Sequence, residues 1–497
     1  MDLSCGSGHV LVAAARRIAL RYAQMVHGES QPAPERVREA MAKVVRRCVH
    51  GVDLNPLAAE LAKVSLWLES LTPGEPLAYL DDRIKTGNAL LGATPVRLEA
   101  GIPDGAFEKL EGDEQSVVAK LRQQNEKEQR GESHLPFAVP GVRTSTATVR
   151  VEAERVAGIR DHSQSEVRQH ARLHRQFEER PELKHMKRVA DVWCASFLWP
   201  KHKGAPTAIT TNVLRDVEKN KENEPLQDEA AELMLADIVR RNQFFHWHLE
   251  FPRVFRVEDP DADNANPDTG WQGGFDAVLG NPPWERVKIQ KKEWFAARDE
   301  HIAAAATASI RDRMIEDLAH SVDENGEPNE GDRQLYAEYQ FDQRESKGQV
   351  TMCRKSGLFP KTGFGDVNTY AVFAEKARQL IRPEGMAGLV LPTGIATDKT
   401  TAGFFSDLVE RRQMVAVLDM ENEEKLFPAV TNRVAFCLFT MARDLAEHYK
   451  VVRLAFRARR PDQLDAREFT LDAGGSSGSI RIQGRLRFAR VGTICGC

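Results

Sequence analysis

A chain of 497 residues is too long for one simple core, so two or three structural units are expected. With 41% hydrophobic and 29% charged residues and no apolar stretch of bilayer length, the composition is that of a soluble globular protein and argues against membrane insertion. The formal net charge of -4 offers nucleic acid no global attraction, so any such contact must be local.

The start, Met1-Asp2-Leu3-Ser4-Cys5-Gly6, lacks the basic residues and apolar run of a secretory signal, and a cytoplasmic location is expected. Cys5, Cys48, Cys194, Cys353 and Cys437 are scattered singly, and Cys495 and Cys497 sit together at a frayed end. That spacing suits reduced thiols, with no metal site expected.

In chain order, the first block to residue 98 reads as strand, glycine turn, helix, strand, helix, strand. Val10 to Ala23 and Glu35 to Arg47 are helical, with Gly28 to Pro34 between them. Cys48 to Asp53 is a short strand, and Leu57 to Leu71 a helix bounded by Asn55-Pro56 and Pro73-Gly74. Residues 99–242 are densely charged and read as a helical insertion, with helices over Glu108 to Arg130 and Ser163 to Lys187 and poor order around Gln123 to Ser133. Gln243 to Pro252 is an aromatic-rich buried strand, whose His246 and His248 are packed residues rather than metal ligands.

A second α/β block, residues 243–446, carries a buried strand at Phe275 to Leu279 and a helix at Tyr370 to Ile381. A Pro383-Glu384-Gly385 turn leads to a strand at Met386 to Leu391. A helix near Phe404 to Arg412 and strands at Met414 to Met420 and Val434 to Met441 complete it, the last two pairing as neighbours. Residues 447–497 begin a further region. It holds most of the clustered cations, Arg453, Arg457, Arg459, Arg460, Arg467, Arg481, Arg485, Arg487 and Arg490, read either as a local DNA contact or as a solvated face.

Four short elements carry chemistry. Asp2 to Gly8 joins a strand end to a helix, where Gly6 and Gly8 let the backbone approach a ligand and the helix start offers free N–H groups. Asp53 ends the next strand, where a carboxylate can accept from both hydroxyls of a ribose, with Leu54 beside it. The gap from loop to acid exceeds the usual spacing of about 20 residues, which fits an extra helix rather than a dehydrogenase. Asn88 and Ala89, in Thr86-Gly87-Asn88-Ala89-Leu90-Leu91, stand at a third strand end, where Asn88 can read an adenine ring.

The fourth element is Asp276-Ala277-Val278-Leu279-Gly280-Asn281-Pro282-Pro283-Trp284. A buried strand delivers Asn281, Pro282, Pro283 and Trp284 to the carboxyl edge of the sheet, where open α/β folds bind ligands. The prolines remove two backbone donors and leave carbonyls seeking partners. An exocyclic amine can donate to the Asn281 oxygen and the Pro282 carbonyl, which frees its lone pair for an electrophile. Trp284 can stack on a planar base, which must first leave its duplex to enter such a site. Catalysis then comes from alignment and oriented dipoles, without a metal.

These elements in this order resemble the gamma-type N6-adenine DNA methyltransferases, and in texture the large methylases of single-chain restriction-modification enzymes and of BREX- and DISARM-like phage defence. The resemblance covers residues 1–98 and about 243–441. It implies an α/β, Rossmann-like S-adenosylmethionine-dependent methyltransferase sheet with a large helical insertion, mostly parallel with one antiparallel strand at its far edge. It further implies S-adenosyl-L-methionine as cofactor, a flipped adenine of DNA as substrate, and restriction or defence subunits as possible partners. Asp2, Cys5, Gly6 and Gly8 fall in the cofactor loop, Asp53 and Leu54 at the ribose, Asn88 and Ala89 near the cofactor adenine, and Asn281 to Trp284 at the target base.

The family's first strand and the motif before it precede such a glycine loop, and a recognition domain follows the catalytic block, so a fragment of a longer protein is expected. Asn88 stands where the family often has an acid. Phe427 is read as a core residue, with a second aromatic wall for the base as its alternative. Rival readings are a glutamine or RNA guanine methyltransferase, a non-catalytic methylase fragment or binding subunit, and a nicotinamide dehydrogenase that would leave the Asn281 loop without purpose.

Overall fold

The computed structural model describes residues 1–132, 145–220, 225–226, 228–258, 265–285, 287–323, 326–428, 431–432, 434–444 and 451–472. Its strands are β1 Gly51–Asp53, β2 Ile84–Thr86, β3 Phe255–Arg256, β4 Gln272–Gly273, β5 Phe275–Gly280, β6 Ile381–Pro392, β7 Met414–Glu421, β8 Ala435–Ala442, β9 Val451–Ala458 and β10 Phe469–Asp472. The first three helices are α1 His9–His27, α2 Pro34–Arg47 and α3 Pro56–Ser70, followed by the short α4 Pro95–Ala100. Then come α5 Gln115–Gln129, α6 Ala147–Ala157, α7 Gln164–Glu178, α8 Pro181–Ala195, α9 Thr211–Lys219, α10 Glu229–Asn242 and α11 Trp247–Glu250. The second α/β block adds α12 Lys291–Ala296, α13 Glu300–Ala303, α14 Ala308–Leu318, α15 Glu330–Lys355, α16 Thr369–Leu380, α17 Gly394–Thr397 and α18 Ala402–Glu410; α19 Leu464–Arg467 lies near the end.

The main sheet runs β10-β9-β7-β8-β6-β5, and β1 pairs in parallel with β2. Residues 1–3 bridge the two. Asp2 N–H donates to His50 O (3.1 Å) and Val52 N–H to Asp2 O (3.0 Å) on one side; Leu279 N–H donates to Met1 O (2.8 Å) on the other. A continuous surface results, in the order β2, β1, residues 1–3, β5, β6, β8, β7, β9, β10. Alternate side chains serve opposite faces, as strand geometry requires. Leu3 and Val52 join the large core, while Cys5 and Ile84 join a separate cluster under α1, α2 and α3.

Two expectations about the sheet are corrected. The antiparallel strand β8 lies inside it, paired with both β6 and β7, and β10 is a second antiparallel strand at the edge. The predicted pairing of the last two apolar runs is β7 with β8, in register from Ala416↔Thr440 to Glu421↔Ala435. The predicted turn at Pro383-Glu384-Gly385 is absorbed into β6 as an irregularity, where pairing jumps from Phe275↔Ile381 to Ala277↔Met386.

Local chemistry sets the helix limits. Asn55 caps α3 by accepting from Leu57 N–H (3.0 Å), with Pro56 in the first turn. The single helix expected over Ser163 to Lys187 is two, because Pro181 lacks an N–H and opens α8. Helix α5 starts at Gln115, not Glu108: Gly112 turns the chain at φ 80°, and the Asp113 carboxylate accepts from Leu110 N–H (3.0 Å) and Lys201 N–H (2.9 Å). Most of the stretch expected to be poorly ordered lies within α5; Ser133 falls outside the described residues. The strand expected in Gln243 to Pro252 is instead an extended lead into the short α11.

The insertion does not form a core of its own. Trp193, Phe197 and Trp199 are buried in the same cluster as Leu3, Val52 and Val278. Arg344 of α15 ties it to the second α/β block through Asp113 (2.8 Å) and Trp199 O (2.9 Å). Arg481, Arg485, Arg487, Arg490, the glycine-serine stretch from Ala473, Cys495 and Cys497 lie outside the described residues.

Candidate functional site

At the carboxyl ends of the central strands lies a cavity of about 460 Å³. The first turn brings Ser4 to it, β1 brings Asp53 and Leu54, and the loop after β2 brings Asn88, Ala89 and Leu90. Asn281 and Pro283 approach from β5 on the other side. Residues far apart in sequence thus share one wall.

The glycine loop shapes this wall from behind. Gly6 and Gly8 take left-handed conformations (φ 52° and 86°), which suit residues without a Cβ. Gly6 N–H donates to Asp53 Oδ2 (2.8 Å), and Asn55 N–H donates to Oδ1 (2.9 Å). Both oxygens of Asp53 are thereby oriented, each with a lone pair to spare. At Gly8 an added Cβ would lie 3.1 Å from Ala62 Cα, so glycine permits α1 to meet α3 closely.

Asp2, Cys5, Gly6 and Gly8 are behind the cavity, whereas Asp53, Leu54, Asn88 and Ala89 are in its wall. Asp2 is 1% exposed and accepts from Ser4 N–H (3.1 Å). Burial pushes its carboxyl up to about 6. Burial likewise pushes the Cys5 thiol up to about 12, and it packs against Gly51, where a Cβ would lie 3.1 Å from the sulfur. In this arrangement they back the turn that carries Ser4. The Ser4 hydroxyl oxygen is buried at the cavity and has no hydrogen-bond partner among the described residues. Asn88 Oδ1 accepts from Leu90 N–H (3.2 Å) and Leu91 N–H (3.3 Å), which fixes its loop and leaves the amide nitrogen as the free end.

The Asn281 loop is clamped at the start of α16. Thr369 Oγ1 donates toward Pro283 O (2.6 Å) and Glu285 O (2.7 Å), and Thr369 N–H donates to Glu285 O (3.0 Å). Asn281 and Pro283 are exposed and Pro282 is buried. Gly280 precedes them because Asp2 lies underneath: a Cβ there would sit 2.9 Å from Asp2 Oδ1. The structure turns Trp284 away from the cavity wall. Its Nε1 donates to Val390 O (3.3 Å), and its ring stacks near Phe436 and meets Phe427 edge-on. Phe427 packs in that cluster, 4.9 Å from Phe436 between ring centres.

Motif reading missed the fourth side. Gln349 and Cys353 from α15, with Thr369 and Phe373 from α16, complete the wall. Gln349 Nε2 donates to Asn242 Oδ1 (3.0 Å), so the insertion positions it. Only amphipathic helix spacing could have signalled these residues, and it does not separate a cavity wall from a core.

His246 is buried, with Nδ1 accepting from Ala93 N–H (3.1 Å) and Nε2 3.1 Å from Asp191. His248 is buried beside Trp271, and burial pulls its imidazole down to about 3. Among the described residues, no group of three or more His, Cys, Asp or Glu could hold a metal ion, and no helix is long and apolar enough to cross a membrane.

An α/β sheet with parallel strands at its centre, glycine loop and acid on one side of a cavity and an Asn-Pro-Pro loop on the other, defines a Rossmann-like methylase architecture. The family model of the Eco57I restriction-modification methylases matches residues 47–312, more than half of the chain, and the chain belongs to that family. No curated protein matches it. Among solved structures, it is similar to the DrdV–DNA complex at 12% identity over 42% of this chain and 17% of that one, with a TM-score of 0.20. A nuclease-deletion mutant of the Type ISP enzyme LlaGI with a DNA substrate mimic gives 12% over 39% and 16%, TM-score 0.19. The type I restriction-modification methyltransferase subunit from Streptococcus thermophilus gives 12% over 93% and 90%, TM-score 0.22. The chain spans about a sixth of the length of the first two, and all three superpose loosely.

Proposed function

We propose that the chain transfers a methyl group from S-adenosyl-L-methionine to N6 of an adenine turned out of DNA, as the modification activity of a restriction-modification or phage-defence system. The observation that carries this reading is the meeting of Ser4, Asp53 and Asn88 with Asn281 in one cavity.

The donor set fits the cofactor. Asp53 offers two oriented oxygens to ribose hydroxyls, the unpartnered Ser4 hydroxyl suits a polar group, and Leu54, Ala89 and Leu90 offer apolar surface to an adenine. When bound, S-adenosylmethionine supplies an electrophilic methyl group. The Asn281 oxygen and Pro282 carbonyl accept the hydrogens of the substrate amine and hold its lone pair out of conjugation. Both prolines lack an N–H, so no backbone donor of theirs competes for those acceptors. Thr369 fixes the loop before substrate arrives, so little reorganisation is needed during reaction. Trp284 anchors the loop to β6 and Phe436.

Calorimetric titration of the chain with S-adenosylmethionine tests the cofactor side. Saturable binding that is weakened in Asp53→Ala and kept in Asn281→Ala supports the division of roles; equal binding in both variants contradicts it.

A further inference from the structure

Helix α15 has two working faces. Gln349 and Cys353 face the cavity, while Lys347, Val350 and Arg354 wall a second hollow of about 280 Å³. Val287, just beyond the Asn281 loop, belongs to both, and its N–H reaches Val367 O (3.3 Å) at the divide. The second hollow therefore continues from the cavity rather than standing apart from it.

Its rim is cationic. Lys109 and Lys288 are exposed and form no ion pair with a described residue. Arg354 is exposed and donates to Gly365 O, while Lys347 is paired with Glu111. Two acids line the same hollow: Glu108, 3.9 Å from Lys355, and Asp366. On a chain of net charge -4, two lysines without an ion pair among the described residues, beside an arginine, are a local attraction for polyanions that the whole molecule lacks.

A base rotated out of its duplex stays bonded to its neighbours, so the phosphates on either side of it must lie at the cavity mouth. We infer that this hollow carries the phosphate backbone of the DNA strand whose base enters the cavity, with Lys109, Lys288 and Arg354 as its phosphate contacts. The inference rests on the methylase reading for the identity of the polyanion. Each ammonium group that meets a phosphate displaces condensed counterions, so the track has a salt-dependence signature that mere structural support would not produce.

The test is fluorescence anisotropy of a labelled mixed-sequence duplex with the full chain over a series of salt concentrations. Lys109→Gln/Lys288→Gln is compared with Arg17→Gln/Arg38→Gln, which removes the same charge from exposed positions on α1 and α2. The groove variant is expected to bind more weakly, with a log–log salt slope shallower by roughly 1 for each lysine removed. The control is expected to keep the wild-type slope, and Lys109→Arg/Lys288→Arg to restore it. Equal slopes for groove variant and wild type, equal losses in groove variant and control, or no duplex binding by the wild type at low salt would overturn the track. Calorimetry with S-adenosylmethionine reads the other hypothesis separately. A wild-type chain that fails to bind the cofactor yet shows the slope difference would remove the methylase reading and leave the nucleic-acid track standing.

Discussion

The cavity has two walls of different origin. One consists of strand-end loops, with Asp53 held by two backbone N–H groups and Asn281 held out on a clamped proline loop. The other is helical: Gln349 and Cys353 sit on a long helix that Arg344 fastens to the insertion. The loop wall presents oriented polar groups, which suit the proposed methyl transfer. The helical wall presents a thiol that burial pushes up to about 12, together with an amide already bonded to Asn242. Under the proposed function, chemistry would fall to the first wall, and shape and closure to the second.

Substitutions on the two walls should therefore differ in kind. Asn281→Ala removes the acceptor proposed for the substrate amine, and methyl transfer should fall by about 10²–10³-fold in single-turnover assays, with cofactor affinity unchanged. An equal loss from Gln349→Ala would erase the contrast. Asp53→Ala takes a charged acceptor from the proposed ribose site and strands the N–H groups of Gly6 and Asn55. Calorimetry should show cofactor affinity lower by about tenfold or more, the worth of a charge-assisted hydrogen bond. Gly280→Ala presses a methyl against the buried Asp2 carboxylate and should cost about 1–3 kcal/mol in chemical denaturation. On the helical wall, Gln349→Ala should change activity only a few-fold, since Gln349 borders the site without touching the amine.

The smallest effect lies away from both walls. His170 is buried, which pulls its pKa down, but the hydrogen bond to Asp161 and the nearby carboxylate of Asp82, 3.7 Å away, outweigh burial and raise it to about 9. Because the folded value lies above the unfolded one near 6.5, the stabilisation is complete below about 6.5 and is lost as pH rises towards 9. Denaturation midpoints should fall across that window, and His170→Gln should flatten the fall.

The contrast between the walls also explains what the sequence could tell. The meeting of Asp53, Asn88 and Asn281 at one cavity was legible because each stands in a short loop after an apolar strand, with glycine or proline dictating the backbone. The placing of Asp2 and Cys5 was not, since a turn of this kind alternates between cavity and core, and only the packing of Gly280 and Gly51 shows which residue goes under. The packing of Trp284 was not legible for a related reason: an aromatic after two prolines can face a ligand or a sheet, and here it packs on Val390 and Phe436. Gln349 sits in a polar helix whose neighbour, Asn242, is distant in sequence, so no local pattern could mark it. The inner position of β8 depends on long-range pairing with β6 and β7, which strand propensity does not encode.

The most direct test incubates the chain with methyl-labelled S-adenosylmethionine and mixed-sequence DNA free of adenine methylation, then digests the DNA and separates the nucleosides. The account predicts label in N6-methyldeoxyadenosine, and none with Asn281→Ala. Label in a cytosine derivative, or the same yield from Asn281→Ala, would contradict it.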